Sequence, residues 1–329
     1  MIDGRLPFIV TVTLIIFAAA FTADAQQPKK VPRIGFLSGV SPSTNAARVE
    51  AFRQGLRDLG YVEGKNIVIE YRYAEAKLDR LPALAAELVR LKVEVIVTAA
   101  PPPTRAAKKA TVAIPIVMVF DDDPVGSGFA ASLARPGGNI TGSSTLSPEI
   151  SGKQLELLKE IVPKLSRVGV LGDVTRPGIP QALREINVAA DALRVQVQYL
   201  EVRDPKDIES AFRAASKEHA DAVLVLGSPV LNSQQKQVIE LAVKSRLPAI
   251  YFNLEFVEAG GLMSYGVNIA DLARRAATYV DKIVKGAKPA DLPIEQPKKF
   301  ELVINLKAAK QIDLTIPPNV LARADRVIK

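Results

Sequence analysis

Short apolar runs alternate with amphipathic segments along the first third of the chain. Segments with the pattern of β-strands lie at 33–38, 66–73, 93–98 and 114–120. Between the first two, Val49, Phe52 and Leu56 recur at the spacing of one helix face. Strands that alternate with helices predict an open parallel sheet covered by helices on both faces.

The same alternation begins again near residue 149. It predicts strands at 167–171, 195–202, 222–226, 248–252, 262–267 and 300–304, and a last helix at 319–327. We interpret the chain as an α/β protein with two Rossmann-like lobes, each a parallel sheet flanked by helices. The predicted divisions are a signal peptide at 1–25, a first lobe at 32–143 with about 268–290, a second lobe at 144–267, and a C-terminal segment at 291–329 that packs across the lobes.

The stretch from 114 to 145 is central to this organisation. Its strand ends in three aspartates and a proline at 121–124, and a β-branched run follows at 140–145. Dense Pro, Gly and Asp between two strands is typical of a shaped surface. We expect 120–128 to present the ligand face of the first lobe, with its glycines forming a turn and the start of a helix, and 135–145 to carry the chain towards the second lobe.

Composition narrows the function classes. The 329 residues are 48% hydrophobic and 24% charged, and the net charge is +8, but Lys and Arg are spread along the helices without a basic block. Nucleic-acid binding is therefore not expected. The chain has no cysteine, which excludes thiolate metal sites and cysteine nucleophiles.

The N-terminus has the pattern of an export signal. Arg5 precedes an apolar run at 6–20, and Ala23-Asp24-Ala25 has the form of a cleavage site. The run is short for a membrane span. We expect export to a bacterial periplasm with a mature chain beginning at Gln26. Nucleotide cofactors are not expected there, and we predict none.

Polar side chains follow the predicted strands where ligands of open α/β sheets bind. Short hydroxyls, amides and helix N-termini can hydrogen-bond a small polar ligand, and aspartates can accept from an ammonium group. The same residue types also cap helices. The predicted ligand-binding residues are Ser38, Gly39, Thr98, Ala99, Phe120, Asp121, Asp123, Pro124, Thr145, Asp173, Ser228, Asn253 and Tyr265.

Catalysis has little support in the sequence. The one histidine, His219, lies between a helix and a strand, where it is an improbable base, and neither a triad nor a histidine metal cluster can be assembled. Gly126-Ser-Gly128-Phe-Ala-Ala131 fits the G-x-G-x-x-A pattern, but three carboxylates separate it from the strand, so a dinucleotide site is disfavoured. A hydrolase that uses Asp121 or Asp123 is the remaining enzyme reading.

Several motifs resemble one family. These are Val31-Pro-Arg-Ile-Gly-Phe-Leu37, the segment 55–66, Asp123-Pro-Val-Gly-Ser-Gly128, Ser132-Leu-Ala-Arg-Pro-Gly-Gly-Asn-Ile-Thr-Gly142 and the segment 316–325. They resemble the ABC-transporter substrate-binding proteins that include the TrpX-like tryptophan-binding proteins. The resemblance implies a type I periplasmic binding fold, with two lobes joined by a three-strand hinge, a ligand between them and delivery to a membrane permease.

The expected function is therefore binding and not catalysis. We expect a monomeric periplasmic protein that captures a small polar ligand, with an amino acid as the candidate, and passes it to an inner-membrane ABC permease. An aromatic ligand would favour an aromatic wall, for which Phe120, Tyr251, Phe252 and Tyr265 are candidates, although each also suits a core. Presentation of the ligand to a membrane sensor is the alternative. Sugar-responsive repressors share such lobes, but here a signal peptide occupies the position of their DNA-binding segment.

Overall fold

A computed structural model describes residues 31–176 and 178–329, so the predicted signal peptide lies outside the described residues. The first sheet has the order β2-β1-β3-β4-β5, with all strands parallel. Its elements in chain order are β1 Arg33–Ser38, α1 Ala46–Asp58, β2 Val68–Tyr73, a 3-10 turn Leu78–Arg80, α2 Leu81–Arg90, β3 Val95–Thr98, α3 Pro101–Ala110, β4 Ile116–Asp121 and β5 Ile140–Ser144.

The second sheet has the order β12-β11-β10-β9-β8-β6-β7, and its pairs are parallel except for the antiparallel β10–β11 pair. The remaining elements are α4 Ser147–Ile161, β6 Arg167–Gly172, α5 Ile179–Leu193, β7 Gln196–Glu201, α6 Asp207–Lys217, β8 Ala222–Val225, α7 Pro229–Ser233, α8 Gln235–Lys244, β9 Ala249–Tyr251, α9 Leu254–Glu258, β10 Met263–Gly266, α10 Ile269–Val284, a 3-10 turn Pro289–Asp291, β11 Glu301–Asn305, α11 Leu306–Gln311, α12 Pro318–Leu321 and β12 Arg326–Ile328. Two parallel-dominated sheets flanked by helices confirm the predicted fold class.

The central strands of both sheets are buried on both faces. All four residues of β3 and all four of β8 are buried, which is the condition under which parallel strands become continuous apolar runs. In the first sheet, Phe36 and Phe52 share a core with Leu272 and Val280 of α10. A Cβ at Gly55 would lie 2.2 Å from the carbonyl oxygen of Arg274, so α1 and α10 approach closely enough to require glycine.

The chain crosses between the two sheets three times. It passes from β5 to α4, returns from β10 to α10, and crosses again between the 3-10 turn Pro289–Asp291 and β11. Before the last crossing, Glu295 pairs with β5, since its amide donates to Gly142 O (3.0 Å) and its carbonyl accepts from Ser144 N (2.9 Å). We call the elements of the first sheet with α1–α3 and α10 the first lobe, and those of the second sheet with its helices the second lobe.

Two local predictions are wrong. The expected last helix at 319–327 ends after the four residues of α12, because Asp325 pairs with Leu302 through its backbone N–H and its carboxylate and so starts β12. The expected helix after Gly128 is also replaced by turns, in which Ser127 N donates to Asp123 O and Phe129 N donates to Pro124 O. Across 31–176 and 178–329, none of the helices has the length and apolar character needed to span a membrane.

Candidate functional site

A cavity of about 200 Å³ lies between the two lobes, where the strands of both sheets end. Residues that follow β1 to β5, together with Val267 and Ile269 at the start of α10, form one wall, and residues that follow β6 to β9 form the other. This is the position at which open α/β sheets bind ligands. The volume is below the range of roughly 300–1,000 Å³ that suits drug-sized molecules, so a smaller ligand is favoured.

Apolar side chains make up most of the wall. Phe120 and Phe252 face the cavity together with Pro101–Pro103, Val230, Val267 and Ile269. Phe252 is held edge-on to Phe256, with ring centroids 5.3 Å apart. An apolar cavity with few polar groups is the usual form of a small-molecule site.

Arg48 and Glu255 join the two lobes across this cavity. Arg48 lies in the first turn of α1, and its Nε and Nη2 each donate to a carboxylate oxygen of Glu255 in α9 at 2.7 Å. The guanidinium lies 5.6 Å from the ring centroid of Phe120, and the Arg48 side chain is only 4% exposed. A bidentate pair of this kind is stronger and more directional than a neutral hydrogen bond.

A second pair, Asp122–Arg176, also joins the lobes. Arg176 Nη2 donates to Asp122 Oδ2 at 3.2 Å, and Thr145 Oγ1 donates to Asp122 Oδ1 at 3.0 Å. The other terminal nitrogen of Arg176, Nη1, is buried without a hydrogen-bond partner among the described residues. Leaving a buried donor unsatisfied costs about 1–3 kcal/mol, and more for a charged group.

Asp121 lies behind this pair, fully buried at the end of β4. Its Oδ1 accepts from Asp123 N (2.8 Å) and from Ser127 Oγ (3.2 Å), while Oδ2 is buried and unpartnered. Burial, and secondarily the neighbouring Asp122 carboxylate, raise the pKa of Asp121 to about 7. A second cavity of about 470 Å³ is lined by Asp121, Asp122, Ser127, Arg176 and the cationic side chains of α3.

The predicted residues divide into three groups. Six line the first cavity: Gly39, Ala99, Phe120, Thr145, Ser228 and Asn253. Asp121 lines the second cavity. Ser228 and Asn253 also accept from backbone amides of α7 and α9, so they cap helices as well. Their role in ligand binding stays a prediction.

The structure does not bring six other predicted residues to the first cavity: Ser38, Thr98, Asp123, Pro124, Asp173 and Tyr265. Most of them stabilise local turns or packing. At the strand ends, Ser38 Oγ accepts from Val40 N, and the hydroxyls of Thr98 and Thr104 are hydrogen-bonded at 2.7 Å. In the following turns, Asp123 accepts from Gly126 N and Pro124 O accepts from Phe129 N. Asp173 accepts from Thr175 N and Oγ1. Tyr265 packs on Phe300 at 5.8 Å, and Tyr251, the other aromatic candidate outside the lining, is buried against Phe256 at 4.8 Å.

Sequence reasoning missed the charged residues of the lining, which are Arg48, Asp122 and Arg176. Arg48 follows a strand end by ten residues and Arg176 lies inside a loop, so neither falls on the strand-end pattern. Asp122 is not among the predicted ligand-binding residues, although Asp121 and Asp123 on either side of it are. Across the described residues, His, Asp and Glu form no group of three or more that could hold a metal ion.

Two α/β lobes, three crossings and a cavity at the facing strand ends define a two-lobed ligand-binding protein of the type I periplasmic class. The model of the family of ABC transporter substrate binding proteins matches residues 33–328. The chain therefore belongs to that family, and the resemblance predicted from the sequence is confirmed.

Individual relatives agree with this membership. A tyrosine-binding protein of Clostridioides difficile is 27% identical over 288 residues, which cover 87% of this chain and 82% of the relative. The crystal structure of an ABC domain from Streptococcus pneumoniae in complex with L-Trp is 27% identical, with a TM-score of 0.84, and covers 90% of this chain and 99% of its own. A conserved domain protein of Vibrio cholerae is 30% identical, with a TM-score of 0.84, and covers 91% of this chain and all of its own.

Proposed function

We propose that this protein is the solute-binding component of an ABC importer and that it captures an amino acid with an apolar or aromatic side chain. The observation that carries the proposal is the cavity between the lobes, with its phenylalanine and proline walls and its few charged groups. The relatives named for tyrosine and bound to L-Trp support the same class of ligand. The side chain of the amino acid lies against Phe120 and Phe252.

Hinge closure captures the ligand in this proposal. Three chain crossings connect the lobes, and a few such connecting residues can absorb the rotation of two rigid bodies. The Arg48–Glu255 and Asp122–Arg176 pairs span the lobes, so they form on closure and break on opening. Ligand binding and pair formation then favour the same state.

The proposal also places the protein in the periplasm. Export through the N-terminal signal at 1–25 delivers a monomer that presents the closed, loaded form to a permease in the inner membrane. Catalysis has no part in this function.

Calorimetric titration of the purified protein with each amino acid tests the proposal. We expect L-tyrosine or L-tryptophan to bind and to raise the melting temperature, because a ligand that binds only the folded state stabilises it by RT ln(1 + [L]/Kd). Glutamate and lysine serve as charged controls and are expected to bind at least tenfold more weakly. Absence of binding by every apolar and aromatic amino acid would contradict the proposal.

A further inference from the structure

The charged groups on the wall of the first cavity differ in how completely they are paired. They are Arg48, Asp122 and Arg176. Two nitrogens of Arg48 are engaged by both oxygens of Glu255. Both oxygens of Asp122 are engaged as well, one by Thr145 and one by Arg176.

Arg176 is the exception. Its Nη2 donates to Asp122, but its Nη1 is buried and donates to no group of the described residues. The side chain is 14% exposed, so bulk water satisfies little of its hydrogen-bonding capacity. Arg176 therefore lines the cavity with a guanidinium that has one nitrogen without an acceptor, and a ligand carboxylate would give that group its strongest bond.

Its position suits a ligand. Arg176 lies on the walls of both cavities, and the two share Leu78, Pro101, Pro102 and Asp122 with it. A group beside Arg176 is therefore next to the apolar cavity on one side. On the other side the second cavity is lined by Asp122, whose carboxylate attracts an ammonium group, and also by the cations Arg105 and Lys109.

We infer that Arg176 binds the carboxylate of the ligand and that the neighbouring Asp122 carboxylate favours an ammonium group next to it. The inference rests on the proposed function for the presence of a ligand in this cleft, and it assigns the residue that recognises the charged head of that ligand. The side chain then extends towards Phe120 and Phe252.

A cycle of one substitution and one ligand change tests this. L-Tyrosine and tyramine differ only in the carboxylate, and their dissociation constants are measured by calorimetry for wild type, Arg176→Met and Arg48→Met. We expect wild type to prefer L-tyrosine at least 30-fold and Arg176→Met to prefer it less than threefold. Arg48→Met removes the other cross-lobe pair, so it should weaken both ligands and keep the preference.

The possible results distinguish failure of the inference from failure of the proposed function. A preference that survives in Arg176→Met, or that is lost equally in Arg48→Met, overturns it. If wild type binds no amino acid, the proposed function has failed, and the inference is then tested by acetate titration with observation of the arginine side-chain N–H resonances. A shift of the resonance that disappears in Arg176→Lys supports a carboxylate site, and no shift overturns it.

Discussion

The substitution Glu255→Gln isolates the Arg48–Glu255 pair with almost no change in shape. It removes the negative charge opposite an arginine that is 4% exposed, while Glu255 itself is 27% exposed. Breaking a buried pair costs about 3–5 kcal/mol and an exposed pair at most about 1 kcal/mol. This half-buried pair lies between these limits, and glutamine can still accept one hydrogen bond. We therefore expect about 2 kcal/mol.

The effect should appear in ligand affinity, because the pair spans the lobes and, in the proposed mechanism, forms only when they close. A free energy of about 2 kcal/mol corresponds to about 30-fold in the dissociation constant. Calorimetry with L-tyrosine measures it. Glu258→Gln is the matched control, since Glu258 lies on the same helix and pairs with Arg326 on the surface, where the side chains are 44% and 54% exposed. Its affinity should stay within twofold of wild type.

A ligand-independent measurement separates closure from binding. The chain has no cysteine, so Val112→Cys and Val188→Cys, at side chains that are 89% and 69% exposed on different lobes, accept spin labels without competing sites. We expect Glu255→Gln to increase the long-distance population between the labels in the unliganded protein. Equal affinities and equal distance distributions for Glu255→Gln and Glu258→Gln would refute the role of the pair in closure.

Three further predictions concern stability and processing. Burial raises the pKa of Asp121 to about 7, so the folded protein binds more protons than the unfolded chain between pH 4 and pH 7. The melting temperature of wild type should therefore fall more between pH 5 and pH 8 than that of Asp121→Asn. Equal falls in the two proteins would contradict this. Gly142→Ala places a Cβ 2.1 Å from Met118 O at a φ of +136° and should lower the free energy of unfolding in urea by about 3 kcal/mol, whereas Gly138→Ala, with nothing within 4 Å, should not. Mass spectrometry of the exported protein should give an N-terminus at Gln26, and an intact Met1 would contradict the signal peptide.

The central strands were predictable from the sequence because they are buried on both faces. Runs such as 95–97 and 222–226 are continuous apolar segments, and a parallel sheet between helices needs no alternation there. The last strand was not predictable. Arg326–Ile328 has three residues that are partly exposed, and its pairing with β11 depends on a contact between Asp325 and Leu302.

The site was predictable to the level of strand ends but not to individual side chains. Three consecutive aspartates begin at the last residue of β4, and the β4–β5 register shifts between Met118 and Asp121. Such an irregularity changes the direction of the residues that follow, so the sequence alone cannot assign which aspartate is buried and which faces Arg176. Arg48 and Arg176 act through partners more than 50 residues away along the chain, and no local pattern encodes these contacts.

The packing of α10 on α1 has a consequence for the order in which the protein folds. The core around Phe36 and Phe52 includes Leu272 and Val280, which are made only after the strands β6 to β10. An N-terminal segment that leaves the ribosome or the export channel first thus lacks part of its own hydrophobic core until residue 280 has followed. Domains that are continuous in sequence can fold during synthesis. The first lobe cannot complete its core until α10 has been made, so its apolar surface stays exposed until then and needs protection from aggregation.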